Sequence, residues 1–282
     1  MGDLAVSNAA EMAKLNAILG LNDAPIGGGT RGPSNRLPEL KINYQRKDKE
    51  GRSIKDKIGM YYVKGLEKEV YAEEVKIRVL SQVFQWIDFD EEEMRPRNRT
   101  IMIPRFSMEP IDELGTIRCG KPTSKQMLDW SKEEKAKFST INLFRQLRGL
   151  VSYKGVTADG EEVVIENQPM ILMNKRGNYM TFEDQVIKKI SGRDFKDFWI
   201  TAKAVEQEMG SVVYYTFDYE PDLLNPVSLD DDTYQTMLHF ADLISSDNDK
   251  IKQKYNASLG GMDSVDLDAM NALDADLEDD HV

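Results

Sequence analysis

The sequence contains one cysteine and two histidines, and both numbers limit its chemistry. The single thiol of Cys119 cannot form an internal disulfide. With only His239 and His281, the chain lacks the Cys/His sets that bind zinc and the Ser-His-Asp or Cys-His arrangements of hydrolases. We therefore expect no catalytic residue, no metal site, no cofactor and no enzymatic activity.

Long apolar runs are also missing from the chain. No stretch of eighteen consecutive apolar residues occurs, so a membrane-spanning helix is not expected. The first 30 residues contain Asp3 and Glu11 and lack the basic start and apolar run of a signal peptide. These features predict a soluble, intracellular protein, placed in the cytoplasm and without a membrane partner.

Positive charge is nearly absent from the C-terminal end. Residues 211–282 hold 3 Lys/Arg against 17 Asp/Glu, whereas residues 31–210 hold 33 against 29, a net charge of +4. Eight of those acids lie in residues 263–282, where self-repulsion and the scarcity of large apolar groups predict a disordered arm. Acidic terminal blocks of this kind are often interaction tails.

The sequence between the N-terminal segment and the acidic tail predicts many β-strands. Alternating or β-branched runs predict strands near residues 40–44, 58–64, 75–87, 100–103, 163–173, 198–207 and 212–219, separated by turn residues. Helical spacing predicts helices over residues 7–20, 181–190 and about 230–244, and a last turn or two at 249–255. Residues 142–154 fit a helix that follows the capping box of Ser131 and Glu134, or a strand. The fold class is therefore a β-rich α+β protein with added helices.

The predicted strand at residues 75–87 has two unlike faces. Odd positions give an aliphatic face with Val75 and Ile77, and even positions give the cations and rings of Lys76, Arg78, Phe84 and Trp86. Side chains alternate across a strand, so the first set is expected in the core and the second on a ligand-binding face. The alternative is that the rings pack under another element.

A G-x-x-x-x-G-K pattern at residues 115–121 is not a nucleotide-binding loop. The position after Lys121 must supply a hydroxyl to magnesium and continue into a helix, and here it is Pro122. A turn between strands is the expected structure.

Cations interleaved with rings on a β-rich body indicate a surface for single-stranded nucleic acid, because Lys and Arg contact phosphates and bases stack on aromatic rings. An anionic arm can occupy the same groove when it is empty. The predicted groove residues are Tyr62, Lys64, Lys76, Arg78, Phe84, Trp86, Arg145, Arg148, Tyr153, Lys154, Trp199 and Lys203.

The layout resembles the single-stranded DNA-binding proteins of bacteriophages. The resemblance rests on the early residues 37–43 (LPELKIN), the middle residues 118–121 (RCGK) and the acidic tail. It implies an OB-fold core, a role in DNA replication, recombination and repair in the host cytoplasm, and a tail that recruits partners such as DNA polymerase. The tail residues concerned are Asp274, Asp276, Glu278, Asp279 and Asp280, but no terminal aromatic follows them.

These inferences divide the chain into four parts. Residues 1–35 form an N-terminal helix and a Gly/Pro linker, 36–225 an OB-like nucleic-acid-binding core, 226–258 a C-terminal helical segment, and 259–282 the acidic tail. A homo-oligomer is compatible with this division. Two other functions stay open: a virion or assembly protein, and a metal-dependent nucleic-acid enzyme built on carboxylates from separate strands.

Overall fold

A computed structural model describes residues 15, 19, 37–90, 92–93, 95–105, 108, 111–114 and 128–260. Its strands are β1 (Glu39–Ile42), β2 (Tyr61–Lys64), β3 (Glu74–Asp90), β4 (Arg95–Arg99), β5 (Ile141–Val156), β6 (Glu162–Lys175), β7 (Ile200–Met209) and β8 (Val212–Pro221). Its helices are α1 (Lys132–Ser139), α2, which begins at Gly177–Phe182, passes through a π-helical turn (Glu183–Ile187) and ends at Lys188–Ile190, and α3 (Asp231–Gly260). The expected β-rich α+β class is confirmed.

All eight strands belong to one mixed sheet that curls into a half-barrel. Its order is β2-β1-β6-β5-β3-β7-β8, and β4 pairs with the far end of β3. Only the β1–β6 contact is parallel among the described pairs, and the others are antiparallel. The long strands β3 and β5 pair along most of their length and form the centre of the sheet.

The inner face of the curl holds the main core. Val75, Ile77 and Leu147 contribute from β3 and β5, and Phe182 and Val186 of α2 cover them. At roughly 1.5–3 kcal/mol for each large apolar side chain removed from water, this cluster is the main favourable term in folding.

Helix α3 packs on the outer face of the same sheet. Met237 and Phe240 of the helix are buried in one cluster with Leu80 of β3, and Leu15 and Leu19 belong to the same cluster. Residues 1–35 were placed outside the core, but these two described residues are buried in this cluster of the core.

Two helix predictions are wrong in detail. The predicted break before residue 249 does not occur, because α3 continues to Gly260. Residues 245–249 are poor helix formers, yet the Asn248 side chain accepts a hydrogen bond from Met102 N–H (2.7 Å) and donates one to Met102 C=O (2.9 Å). The helix predicted to begin at Thr181 begins earlier, at Gly177, and the Thr181 hydroxyl donates a hydrogen bond to the Gly177 carbonyl.

Side chains close the gap between β8 and the start of the sheet. Tyr61 of β2 stacks on Phe217 of β8 with 5.7 Å between ring centroids. Along the free edge of β8, alternate backbone N–H groups donate to side-chain oxygens: Tyr215 to Tyr44, Phe217 to Asn178 and Tyr219 to Gln185. These bonds occupy an edge that would otherwise pair with another strand.

Candidate functional site

A β-bulge changes which side chains of β3 lie on each face of the sheet. The pairing with β5 shifts between Val79 and Ser81, so Leu80 is an extra residue and the alternation reverses after it. Phe84 and Trp86 consequently share the inner face with Val75, and only Lys76 and Arg78 stay outside. The prediction that all four lie on one face is therefore wrong.

The predicted rings are largely withdrawn from solvent. Phe84, Trp86, Tyr62 and Tyr153 are each less than a tenth exposed, and Trp199 is half-buried against the α3 cluster. Burial raises the pKa of Tyr62 and of Tyr153 to about 12. A buried ring presents no face on which a base can stack, so these five residues do not form an open stacking surface.

The three predicted arginines lie in three separate buried places. Arg78 is on the outer face, where its Nε donates to the Lys196 carbonyl (2.8 Å) and its Nη2 to the Ser228 carbonyl (3.0 Å). These two bonds hold two loops against the sheet. Burial lowers the pKa of the Arg78 guanidinium.

Arg145 lies on the inner face of the half-barrel, among aromatic rings. Its guanidinium lies 4.5 Å from the ring centroid of Tyr179 and 5.5 Å from those of Phe84 and Phe182. Its Nη2 donates to Glu183 Oε2 at 2.6 Å. The cation therefore connects the sheet to α2 and is not available to a ligand.

Arg148 lies beneath α3 on the outer face. Its Nη2 donates to Gln146 Oε1 (3.0 Å) and contacts Met102 Sδ (3.1 Å), and Gln146 in turn donates to Gln85. Burial lowers the pKa of Arg148 to about 10, which still leaves it charged at neutral pH. Arg148, Gln146 and Gln85 are all buried beneath α3.

Four predicted cations do reach solvent: Lys64, Lys76, Lys154 and Lys203. Lys154 pairs with Glu162 at 2.7 Å, and Lys203 pairs with Glu74 at 3.0 Å. Among the described residues, Lys64 and Lys76 have no acidic partner.

An open cleft of about 640 Å³ brings three predicted residues together: Lys76, Tyr153 and Lys154. It forms where β3 and β5 separate beyond their last pair, Lys76 with Ser152. Glu73, Glu74 and Glu166 line the same cleft. Because acids and cations share its walls, the cleft is not a strongly cationic site.

A second surface was not predicted and has a different character. Residues 43–60, here called the basic lobe, connect β1 to β2 and contain six Lys/Arg against three Asp/Glu. The side chain of Asn43 is buried and donates to the carbonyls of Gln45 and Lys57, which holds the lobe closed at its base. Ile54 packs beneath the lobe with Tyr62 and Tyr71.

Half of the cations in the basic lobe have no acidic partner among the described residues: Arg46, Lys47 and Lys55, all exposed. The lobe's remaining cations are paired, as when Arg52 contacts Asp48, Glu50 and Asp159. The Lys47–Ser53 bridge and the bond from Ile54 N–H to the Arg46 carbonyl place the three unpaired cations on one compact loop.

An exposed ring stands at the base of the basic lobe. Tyr44 is 54% exposed, its hydroxyl accepts a hydrogen bond from Tyr215 N–H (3.0 Å), and the two rings meet edge to face at 5.6 Å. Gly59 makes this approach possible, because a Cβ there would lie 2.6 Å from the Tyr215 ring and its φ is +84°. The lobe thus presents an anchored ring two residues from Arg46.

The sequence contains a signal for this surface, a tyrosine followed closely by six cations, but none of these residues is among the predicted groove residues. Across the described part of the chain there is no group of three or more potential metal ligands. No described helix is long and apolar enough to cross a membrane. The acidic tail residues and the G-x-x-x-x-G-K pattern lie outside the described residues.

Comparison with known proteins gives no relative from which a role could be transferred. No family profile, no curated protein and no solved structure matches this sequence.

Proposed function

We propose that this protein binds single-stranded DNA, with the basic lobe and Tyr44 contacting the strand and an OB-like barrel as the scaffold. The observation that carries the proposal is the exposed, anchored ring of Tyr44 beside three cations that have no acidic partner in the described chain, Arg46, Lys47 and Lys55. Phosphates need unpaired cations and an unstacked base needs an open ring face. The basic lobe offers both within a few residues.

A single strand fits this surface better than a duplex. The bases of a duplex are stacked on one another and cannot use an exposed tyrosine ring, whereas a single strand can place a base on it. The paired outer-face cations Lys154 and Lys203 add little, since each is already neutralised by a glutamate. We therefore assign the initial contact to the basic lobe and its continuation to Lys64 and Lys76.

The acidic tail has two roles in this proposal. It competes with DNA for the basic lobe, because its carboxylates are negatively charged like the phosphates of DNA, and it recruits replication proteins such as DNA polymerase when DNA displaces it. The protein would then act in DNA replication, recombination and repair.

Replacing Tyr44 by alanine should weaken binding to oligo-dT. Loss of one stacked base costs roughly 1–3 kcal/mol, so the dissociation constant should rise by about 5- to 150-fold in a fluorescence anisotropy titration. Tyr44→Phe keeps the ring and should retain most of the affinity.

Tyr214→Ala is the matched control, because Tyr214 is also an exposed ring but lies on the other face of β8 from Tyr215. Equal affinities for wild type and Tyr44→Ala would remove the stacking role. Equal losses for Tyr44→Ala and Tyr44→Phe would show that the hydroxyl contact, and not the ring, matters.

Deleting residues 263–282 should tighten binding to oligo-dT at low salt, and the difference should shrink as salt rises, because screening weakens the competing tail. The same anisotropy titration at about 20 mM and about 200 mM salt, where the Debye length falls roughly threefold, measures this difference. Identical affinities at low salt would rule out autoinhibition, while failure of the truncated protein to bind at all would exclude the whole proposal.

A further inference from the structure

The cleft of about 640 Å³ lies directly beside the basic lobe. Met60, the last residue of the lobe, lines the cleft. Tyr71 lines it as well, and the same ring packs beneath the lobe with Ile54. A strand that lies on the basic lobe can therefore continue into the cleft without leaving the protein surface.

The cleft is a gap between two points at which the sheet is paired. At one end Lys76 of β3 pairs with Ser152 of β5, and at the other Tyr71 and Val156 exchange backbone hydrogen bonds of 2.8 and 2.9 Å. Gly155 lies next to this second contact, where a Cβ would collide with the Tyr71 carbonyl oxygen. Because backbone pairing fixes both ends, the opening between them is a built-in feature of the sheet.

The lining of the cleft combines apolar side chains with a few charged ones. Its apolar part includes Met60, Val75 and Val164, and Val164 is 58% exposed. Binding clefts for small ligand groups commonly join an apolar lining to a small number of polar groups that fix orientation. An unstacked base has a flat face and a polar edge, so it matches this combination.

The carboxylates of the cleft decide which part of a nucleotide it accepts. Glu74 pairs with Lys203 at 3.0 Å, whereas Glu73 and Glu166 are exposed and contact no cation in the described part of the chain. Carboxylates repel phosphates, and when ionised they can only accept hydrogen bonds. The cleft therefore disfavours a phosphate and favours an edge that carries N–H donors.

We propose that the cleft binds a base of the single strand and selects bases with an exocyclic amino group, such as cytosine, over thymine and uracil. This inference rests on the proposed DNA binding. The cytosine amino group donates to Glu or Asp carboxylates, whereas thymine and uracil present a carbonyl oxygen at the same position, which a carboxylate repels. Lys76 is exposed in the same cleft, has no acidic partner among the described residues, and contacts the phosphate of that nucleotide.

The basic lobe cannot supply such a preference. Stacking on Tyr44 tolerates any sequence because every base has a π-face, and phosphates are identical in all nucleotides. A difference in affinity between two strands of different base is therefore assigned to the cleft.

Anisotropy titrations of the full chain with oligo-dC and oligo-dU of equal length test this proposal. Neither base carries the methyl group of thymine, so the two strands differ only at the edge that the carboxylates contact. Above neutral pH, where cytosine is uncharged, the wild type should bind oligo-dC about 5- to 10-fold more tightly than oligo-dU.

The double variant Glu73→Gln, Glu166→Gln should bring this ratio to about one, because an amide offers both a donor and an acceptor and suits either edge. Glu133→Gln with Glu208→Gln is the matched control. Both of these acids are exposed and lie outside the cleft, and their replacement changes the net charge equally. The control should keep the wild-type ratio.

Equal affinities of the wild type for oligo-dC and oligo-dU would overturn the base selection and leave the proposed DNA binding intact. A wild-type ratio in the Glu73→Gln, Glu166→Gln protein would overturn it as well. Binding to neither strand would instead overturn the proposed function together with this inference. Thermal unfolding by circular dichroism verifies that both double variants are folded.

Discussion

Arg145→Ala is expected to lower the free energy of unfolding by about 3–5 kcal/mol, the range for removing a large side chain from a core. The substitution empties the space between the Phe84, Tyr179 and Phe182 rings and breaks the contact to Glu183. It also removes a desolvated cation–π interaction worth about 2 kcal/mol or more. Urea unfolding followed by tryptophan fluorescence measures the change.

Arg145→Met separates packing from charge in the same position. Methionine fills much of the volume, and the Glu183 side chain, which is 35% exposed, can be hydrated without its partner, so the loss should be less than half of that for alanine. Arg95→Ala, at an exposed arginine of β4, should change stability little. If Arg145→Ala behaves like Arg95→Ala, the described burial of Arg145 is incorrect.

The Arg145 variants also test whether Arg145 contacts DNA, as the sequence predicts, or only stabilises the core. Arg145 was predicted to contact DNA, but it is only 2% exposed. Folded Arg145→Met should therefore bind oligo-dT as tightly as the wild type.

Gly149→Ala has the second largest expected effect, a loss of about 3 kcal/mol or more in unfolding free energy. A Cβ on Gly149 would lie 2.0 Å from the Arg78 carbonyl oxygen, which is backbone of the neighbouring strand. That strand pairs on both sides and carries the bulge at Leu80, so it cannot move away without breaking pairs. Thermal unfolding should show a lower midpoint or no cooperative transition.

Gly177→Ala provides the control for this substitution. Gly177 starts α2, and no atom lies within 4 Å of a Cβ added there. Alanine should be neutral or slightly stabilising, by up to about 1 kcal/mol, because it restricts the unfolded chain. Similar losses at both glycines would contradict the close approach of β3 and β5 at Gly149.

Features of the fold that depend on a few neighbouring residues could be predicted from the sequence. The capping box of α1 was predicted and is present, with Ser131 N–H donating to Glu134 and Glu134 N–H donating to Ser131. The strands at residues 198–207 and 212–219 were likewise predicted from the turn residues between them, where Gly210 adopts a φ of +65°. In both cases the chemistry of a few neighbouring residues suffices.

Features that depend on distant contacts could not be predicted. The alternation at residues 75–87 gives no sign of the bulge at Leu80, because pairing with β5 creates it. That single extra residue moves Phe84 and Trp86 from the expected ligand face into the core. Residues 142–154 became a strand for a similar reason: they lie between β3 and β6, and this pairing outweighs their helical spacing.

The predicted groove residues lie on or next to strands, whereas the candidate site lies on a connection between strands. Rings on strands of a half-barrel are needed for its core, while a ring on a connection between strands has no such role. Tyr44 and the unpaired cations of the basic lobe lie on such a connection. Its ordered structure depends on Asn43 and on the Ile54 cluster, neither of which is apparent from composition.

The salt dependence of oligo-dT binding tests the central claim most directly. Each phosphate contact to a single strand contributes about 0.7 to the slope of log K against log salt, so Arg46→Ala, Lys47→Ala and Lys55→Ala together should reduce that slope by about 2. Alanine at three exposed lysines elsewhere, Lys132, Lys135 and Lys189, should leave it unchanged. If the lobe variant keeps the wild-type slope, or both sets reduce it equally, the basic lobe is not the DNA-binding surface.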